Sequence, residues 1–369
     1  MSEGKYTQIG GVIKQITGEY TQIGGVIKQI TINALGIAGA IKQVSVGDKY
    51  IWACEQGSDR LYGIDDNQAN LTGWPLYGGT IADPADVACD SDGNSYWACA
   101  NNVYKYDIDG NQIWEYTGFT TPVMAICVDA DGYVYAADFT GDVKCLDGNE
   151  QPLLPGGGAN PAFTEWTQSI RIDPYNPFTS LAIDYSAGML YGACYNGASE
   201  GRIYRFLKVN GNYAIIYTAN ATYGAVLGIG IDEGTPSLYI GTENGYLMKI
   251  STGGYVYWGD GGPLLGEIYT VRVGHGGFGY YVNGSQGDIG KFALSTGSDE
   301  WKDQPAGTSR GLAVDAFGNV YSSHGAYGSV NAVIRKNNAS GVEQWTWQPY
   351  INSRWRGIAV SPGIKAAGF

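Results

Sequence analysis

Short apolar runs alternating with polar positions at a period of two recur along the chain, separated by turns rich in Gly, Asp and Asn. This is the pattern of half-buried strands joined by hairpins. The runs fall into a degenerate repeat. A first strand ends in an apolar residue followed by Asp, Gly or Ser, at Val46-Gly47, Cys89-Asp90, Val128-Asp129, Ile183-Asp184, Ile231-Asp232, Val273-Gly274, Val314-Asp315 and Val360-Ser361. The marks are on average about 45 residues apart, the length of one four-stranded propeller blade.

After each of the first seven marks comes a second strand in which an aromatic precedes small or neutral residues, as in Trp52-Ala53-Cys54, Trp97-Ala98-Cys99 and Tyr135-Ala136-Ala137. The third strand recurs as an aliphatic, aromatic and basic pattern, as in Val103-Tyr104-Lys105-Tyr106 and Leu247-Met248-Lys249-Ile250. A Trp-bearing outer strand follows, at Trp114, Trp301 and Trp345, and packs one blade on the next. Seven cycles are complete, and Trp355-Arg356-Gly357-Ile358-Ala359-Val360 begins an eighth without finishing it. A lone terminal strand is able to complete the first sheet and close the ring. The expectation is an all-β, seven-bladed β-propeller over residues 35–369, with eight blades as the alternative, preceded by an arm over residues 1–34.

Gly39 to Gly47 followed by Ile51-Trp52-Ala53 resembles the tectonin repeat, and Leu312 to Tyr321 is similar to NHL-type blades. Phe292 to Trp301 resembles the tryptophan-docking repeat of quinone-dependent dehydrogenases and of the outer-membrane assembly lipoprotein. The tectonin resemblance implies carbohydrate binding. Propellers of these kinds include lectins, scaffolds, hydrolases and dehydrogenases, so the likeness bears on fold more than on activity.

The arm is the most unusual segment. Thr7-Gln8-Ile9-Gly10-Gly11-Val12-Ile13-Lys14-Gln15-Ile16-Thr17 recurs unchanged at Thr21 to Thr31, and a diverged third copy lies at Leu35 to Ser45. The third copy reads as the first strand of blade 1. The first two are then spare copies suited to adding onto the edge of another sheet, through Tyr6, Ile9, Val12, Ile13, Ile16, Tyr20, Ile23, Val26, Ile27 and Ile30.

Charge sharpens this reading. The chain carries a formal charge of −13, which disfavours nucleic acid, yet residues 1–47 hold four Lys and two Glu, against 18 basic and 33 acidic residues in the rest. Opposite signs allow the arm of one subunit to lie on the body of another. No apolar run is long enough for a membrane helix, and residues 1–5 do not open a secretory signal. The six cysteines include no C-x-x-C pair, consistent with reduced thiols in a chain made in the cytosol.

Candidate chemistry is sparse. Two histidines, His275 and His324, are not neighbours in sequence, so no H-E-x-x-H zinc pair occurs, and neither does a Walker loop. Asp-x-Asp-Gly at Asp90, Asp107 and Asp129 lacks the later ligands of a calcium loop and suits tight turns instead. Cys54 and Cys99 read as small core residues. Arg272, Arg310 and Arg356 fall in first strands, where they are candidates for one mouth of the central channel and for binding an anion or acidic sugar. Trp74, Tyr77, Trp258 and Trp347 are candidates for stacking on sugars. Together these features favour a non-enzymatic structural or adhesion propeller of a large assembly, in particular a bacteriophage tail, collar or fibre component. Its expected partners are copies of itself, other structural proteins and surface glycans, without nucleic acid, membrane insertion, metal or cofactor. A tectonin-like lectin is the alternative, and a propeller enzyme with a cofactor in its channel is third.

Overall fold

The computed structural model describes residues 49–361 apart from 78–80, 153–159, 161–162, 171–176, 197–199, 233–234, 260–265, 275, 285–286, 306–307, 326–332 and 350–353, together with the backbone of four strands between residues 5 and 30. Two compact units emerge, Tyr50–Ser361 and the pair of terminal segments Met1–Lys49 with Pro362–Phe369. Strands and turns account for the described residues, without a helix.

Tyr50–Ser361 is a seven-bladed propeller. Six blades are four-stranded antiparallel meanders in chain order, with inner strands Pro84–Cys89 (blade 2), Val123–Val128 (blade 3), Phe178–Asp184 (blade 4), Val226–Asp232 (blade 5), Ile268–Val273 (blade 6) and Ser309–Val314 (blade 7). Blade 1 is composite. Tyr50–Glu55, Arg60–Asp65 and Leu76–Tyr77 come from the start of the unit, and the inner position is filled by Trp355–Val360 from its end. The apparent eighth blade is thus the closing strand of the first. The position expected for Leu35 to Ser45 is taken, and those residues lie outside the described ones. Closure is fastened at both ends: the Ser361 and Tyr50 main chains bond at 2.9 Å, and Gln56 N donates to Arg354 O at 2.9 Å. Each inner strand packs against the next around the ring, and Trp355–Val360 touches the inner strands of blades 7 and 2.

The repeat marks have a mechanical basis. Asp90 Oδ1 accepts the amides of Asp92 and Asn94, while its Oδ2 accepts the Tyr96 hydroxyl at 2.9 Å. Asp129 and Asp315 hold their turns in the same way. These carboxylates therefore order hairpin turns, as side-chain caps do.

Blades are locked pairwise by a shared acceptor. Lys105 of the third strand and Trp114 of the outer strand both donate to Gly148 O in the next blade, at 2.9 and 3.2 Å. Lys291 and Trp301 repeat this on Ala339 O, each at 3.2 Å. Trp74 and Trp166 dock likewise on Ile108 O and Lys208 O. Across the closing junction, Lys336 Nζ reaches Asp66 Oδ2 of blade 1 at 2.6 Å. Between clamps, aromatics fill the gaps; Trp52, Trp74, Trp97, Tyr104 and Tyr106 form one cluster between blades 1 and 2.

In the other unit, each exact copy of the arm is a hairpin and not a single strand. Lys5–Ile9 pairs with Val12–Ile16 across Gly10-Gly11, and Tyr20–Ile23 pairs with Val26–Ile30 across Gly24-Gly25.

Candidate functional site

The inner strands share one irregularity that sequence patterns did not reveal. In all seven, the pairing register shifts near the strand start, for example between Pro84 and Asp86, Ile268 and Thr270, and Ser309 and Gly311. A bulge re-aims the side chain it skips. The skipped residues are Ala85, Met124, Thr179, Leu227, Tyr269 and Arg310 in blades 2 to 7, with Arg356 in the closing strand. All seven are half-buried, at one end of the inner strands.

This arc is cationic on one side. Arg310 lies over the Tyr269 ring at 4.5 Å from its centroid, and Thr270 Oγ1 donates to Arg310 O at 2.7 Å, tying blades 6 and 7. Arg356 Nε donates to Gln56 Oε1 at 2.6 Å, and the Gln56 amide in turn donates to Asp83. Burial and the nearby charges of Arg310 and Arg354 pull the Arg356 guanidinium down to about 10. Among the described residues neither Arg310 nor Arg356 forms a carboxylate ion pair. Arg354, just before the closing strand, is the member of this group that sequence reading missed; it becomes relevant only when the chain end returns to blade 1.

Arg272 belongs elsewhere. It sits three residues further along its strand, where the other blades carry Ala88, Cys127, Ala182, Gly230, Ala313 and Ala359. Its Nη1 donates to Val271 O, and burial lowers its pKa while the Asp86 carboxylate and Cys127 oppose that. Asp86 accepts from the amides of Val87 and Ile126 at 2.9 and 3.1 Å; burial pushes its carboxyl up to about 6 against those bonds and Arg272. The three channel arginines expected together therefore separate into a mouth pair, Arg310 and Arg356, and an inner residue facing Asp86. Asp86 carried no signal in the sequence because it falls in an ordinary strand pattern.

The stacking candidates divide as well. Trp74 is buried between blades, 4.9 Å from the Trp52 ring, so neither face is open to a sugar. Trp258 packs on Tyr239 and Phe292, and Trp347 on Tyr62 and Trp355; both are half-buried blade contacts. Tyr77 alone stands out from the surface, 71% exposed, with Arg60 over its ring. Sequence spacing finds an outer-strand aromatic but does not tell a docked one from a free one.

Other reactive groups are buried or half-buried. All six cysteines are free, and burial raises Cys54, Cys89, Cys145 and Cys194 to about 12. Cys54 accepts from Gly357 N at 3.1 Å, sewing the closing strand to its neighbour. His324 is fully buried against Ser322 Oγ at 2.7 Å, and burial lowers its pKa to about 3. His275 lies outside the described residues. No group of three metal-ligating side chains occurs among the described residues. The ten arm residues lie on the four arm strands, and their side chains are outside the described part.

The chain is similar in structure to the β-propeller domain of Cps50 (Swd1) from Myceliophteria thermophila, at TM-score 0.60 and 14% identity over 77% of this chain and 91% of that one. It also resembles the WD40 β-propeller domain of Doa1, at TM-score 0.57 and 12% identity over 76% and 87%. A chain of the nidogen/laminin complex matches at TM-score 0.52 and 12% identity, over 85% and 99%. At such identities the likeness is one of fold. No family model matches the chain, and no curated protein matches it.

Proposed function

We propose that this propeller is a non-enzymatic, repeated component of a large multi-subunit assembly, namely a tail, collar or fibre protein of a bacteriophage virion, whose arm docks on neighbouring subunits. The observation carrying this reading is the arm itself. The ring is closed by Trp355–Val360, so the two identical hairpins are not needed to complete the propeller. A basic arm on an acidic body favours contact between copies. The protein is made in the cytosol and incorporated with other structural proteins. Light scattering after size-exclusion chromatography, on the full chain and on one beginning at Ala34, tests the assembly step. Oligomers of the full chain and a monomeric truncation are the expected result, and two monomers of equal melting temperature refute it. Detection of the protein in purified virions tests the remaining step.

Surface carbohydrate is the second reading, favoured by Tyr77 and by the exposed Tyr255 and Tyr257, whose rings meet at 5.5 Å. Aromatic faces of this kind stack on sugars. A glycan array on the protein and on Tyr77→Ala and Tyr257→Ala variants distinguishes it, since loss of a hit in either variant identifies the surface.

A further inference from the structure

A blade ends in an outer strand with one open edge, and such edges invite pairing with another chain unless charge, brevity or cover protects them. Six outer strands have protection of this kind. Gln112–Tyr116, Thr164–Ser169, Asp299–Asp303 and Glu343–Trp347 each carry at least one Glu, while Leu76–Tyr77 and Val256–Gly259 are two and four residues long. Blade 4 differs. Its outer strand, Tyr213–Thr218, reads Tyr-Ala-Ile-Ile-Tyr-Thr, six residues without a charge. Tyr213 is 42% and Ile215 46% exposed, and among the described residues only Glu200–Leu207 pairs with this strand. It is also an outer strand without a docking Trp; the Ile216 carbonyl fills that place, so close to Gly254 that a Cβ there would stand 1.7 Å from it.

We infer that the open edge of Tyr213–Thr218 is the acceptor for an arm hairpin from a second copy of this chain, which adds to blade 4 as further antiparallel strands. This rests on the assembly reading above. Three observations select the occupant. The arm strands are four or five residues long, short enough for a six-residue edge that bulges at Ile216, and each pairs only with its hairpin partner among the described residues. They are rich in Ile and Val, which suit a paired and half-buried position. The arm segment carries net positive charge and the remaining chain a large negative one. Main-chain bonds supply affinity in such strand addition, and side chains such as Ile215 supply specificity.

The test uses the full chain with Ile215→Lys, which puts a charge on the edge, and Thr346→Lys on blade 7 as a control of equal chemistry. Light scattering is expected to show the unmodified chain and the blade 7 variant as oligomers, and Ile215→Lys at the single-chain mass of 39.4 kDa. Oligomers that persist in Ile215→Lys, with melting temperature unchanged, overturn the acceptor assignment and leave the assembly reading standing. A monomeric unmodified chain overturns both. A photo-crosslinking amino acid in place of Tyr213 gives an independent reading: crosslinked peptides from residues 5–30 support the inference, and peptides only from elsewhere overturn it.

Discussion

Removing the Trp355 side chain probes whether the ring depends on its closing strand. Trp355 is 1% exposed, its ring lies 5.3 Å from Tyr62 and 6.2 Å from Trp347, and its indole N–H has no partner among the described residues. Trp355→Ala therefore loses packing alone. A buried Trp removes roughly 200 Å² from water. At about 25 cal/mol per Å² this is ~5 kcal/mol, an upper value that compactness of the unfolded chain lowers by a tenth or more. Measured truncations of buried aromatics span about 3–5 kcal/mol, so the two routes agree on ~4 kcal/mol. Unfolding entropy of about 2.1 cal/mol/K per residue, over a unit running from Tyr50 to Ser361, converts this to a melting temperature lowered by roughly 6 °C. Calorimetry supplies both numbers, with urea unfolding at 25 °C as a check on two-state behaviour. A cost below about 1 kcal/mol would falsify the view that blade 1 is completed from the chain end, because a surface Trp costs that little.

The clamp on Gly148 O predicts coupling: Lys105→Met and Trp114→Phe each leave one donor in place, whereas the double variant strands a buried carbonyl, so its loss exceeds the sum of the singles by about 1–2 kcal/mol in a double-mutant cycle. His324 is held neutral with a pKa near 3, so the unfolded chain binds a proton first as pH falls from about 6.5; stability drops over that window, and His324→Gln flattens the decline in urea titrations. Asp86 acts in the opposite sense. Its native pKa of about 6 exceeds the ordinary carboxyl value, so the folded chain binds the extra proton and stability falls as pH rises from about 4 to 6; Asp86→Asn removes that fall, and an unchanged profile refutes the assignment. At the channel mouth, sulfate raises the melting temperature of the unmodified protein more than that of Arg310→Gln, which also relieves repulsion on Arg356; equal responses show that the arginines bind no anion.

Blade number was legible because each turn carries its own signal. Asp90, Asp129 and Asp315 must sit where a carboxylate reaches two amides in the same hairpin, and that local need leaves a periodic trace. The origin of blade 1 was only half legible: the terminal strand was read as able to complete the first sheet, yet Leu35 to Ser45 was read as that sheet's first strand. Ile41 to Val46 and Trp355 to Val360 are equally good inner strands by pattern, and pairing of Val360 with Ile51 is set by ring geometry across most of the chain. The arm was half legible: its repetition is plain, but Lys5–Ile9 and Val12–Ile16, which pair with each other, were read as one strand, as were Tyr20–Ile23 and Val26–Ile30. Trp74 and Trp347 were misread for a related reason, since whether an outer-strand aromatic docks depends on the neighbouring blade and not on its own segment.

Departures from the repeat are where function is best sought in a ring of this kind. Along one side of the inner strands the blades approach so closely that a Cβ at Gly228 would stand 2.9 Å from the main chain of blade 6, and one at Gly357 2.8 Å from Asp86 Cα. Ring packing therefore demands Gly, Ala, Ser, Thr or Cys there, and the matching positions obey it with two exceptions, Asp86 and Arg272. Both are charged, both are desolvated, and each partly stabilises the charge on the other. Burying ions costs several kcal/mol each before compensation, so small residues at both places would make a more stable ring. The same reasoning applies to the uncharged edge of blade 4, which forgoes the protection given to the other six. A repeat fold reveals such sites because every blade supplies the control for its neighbours: what six positions share is the requirement of the architecture, and what the seventh alone carries needs a reason outside it.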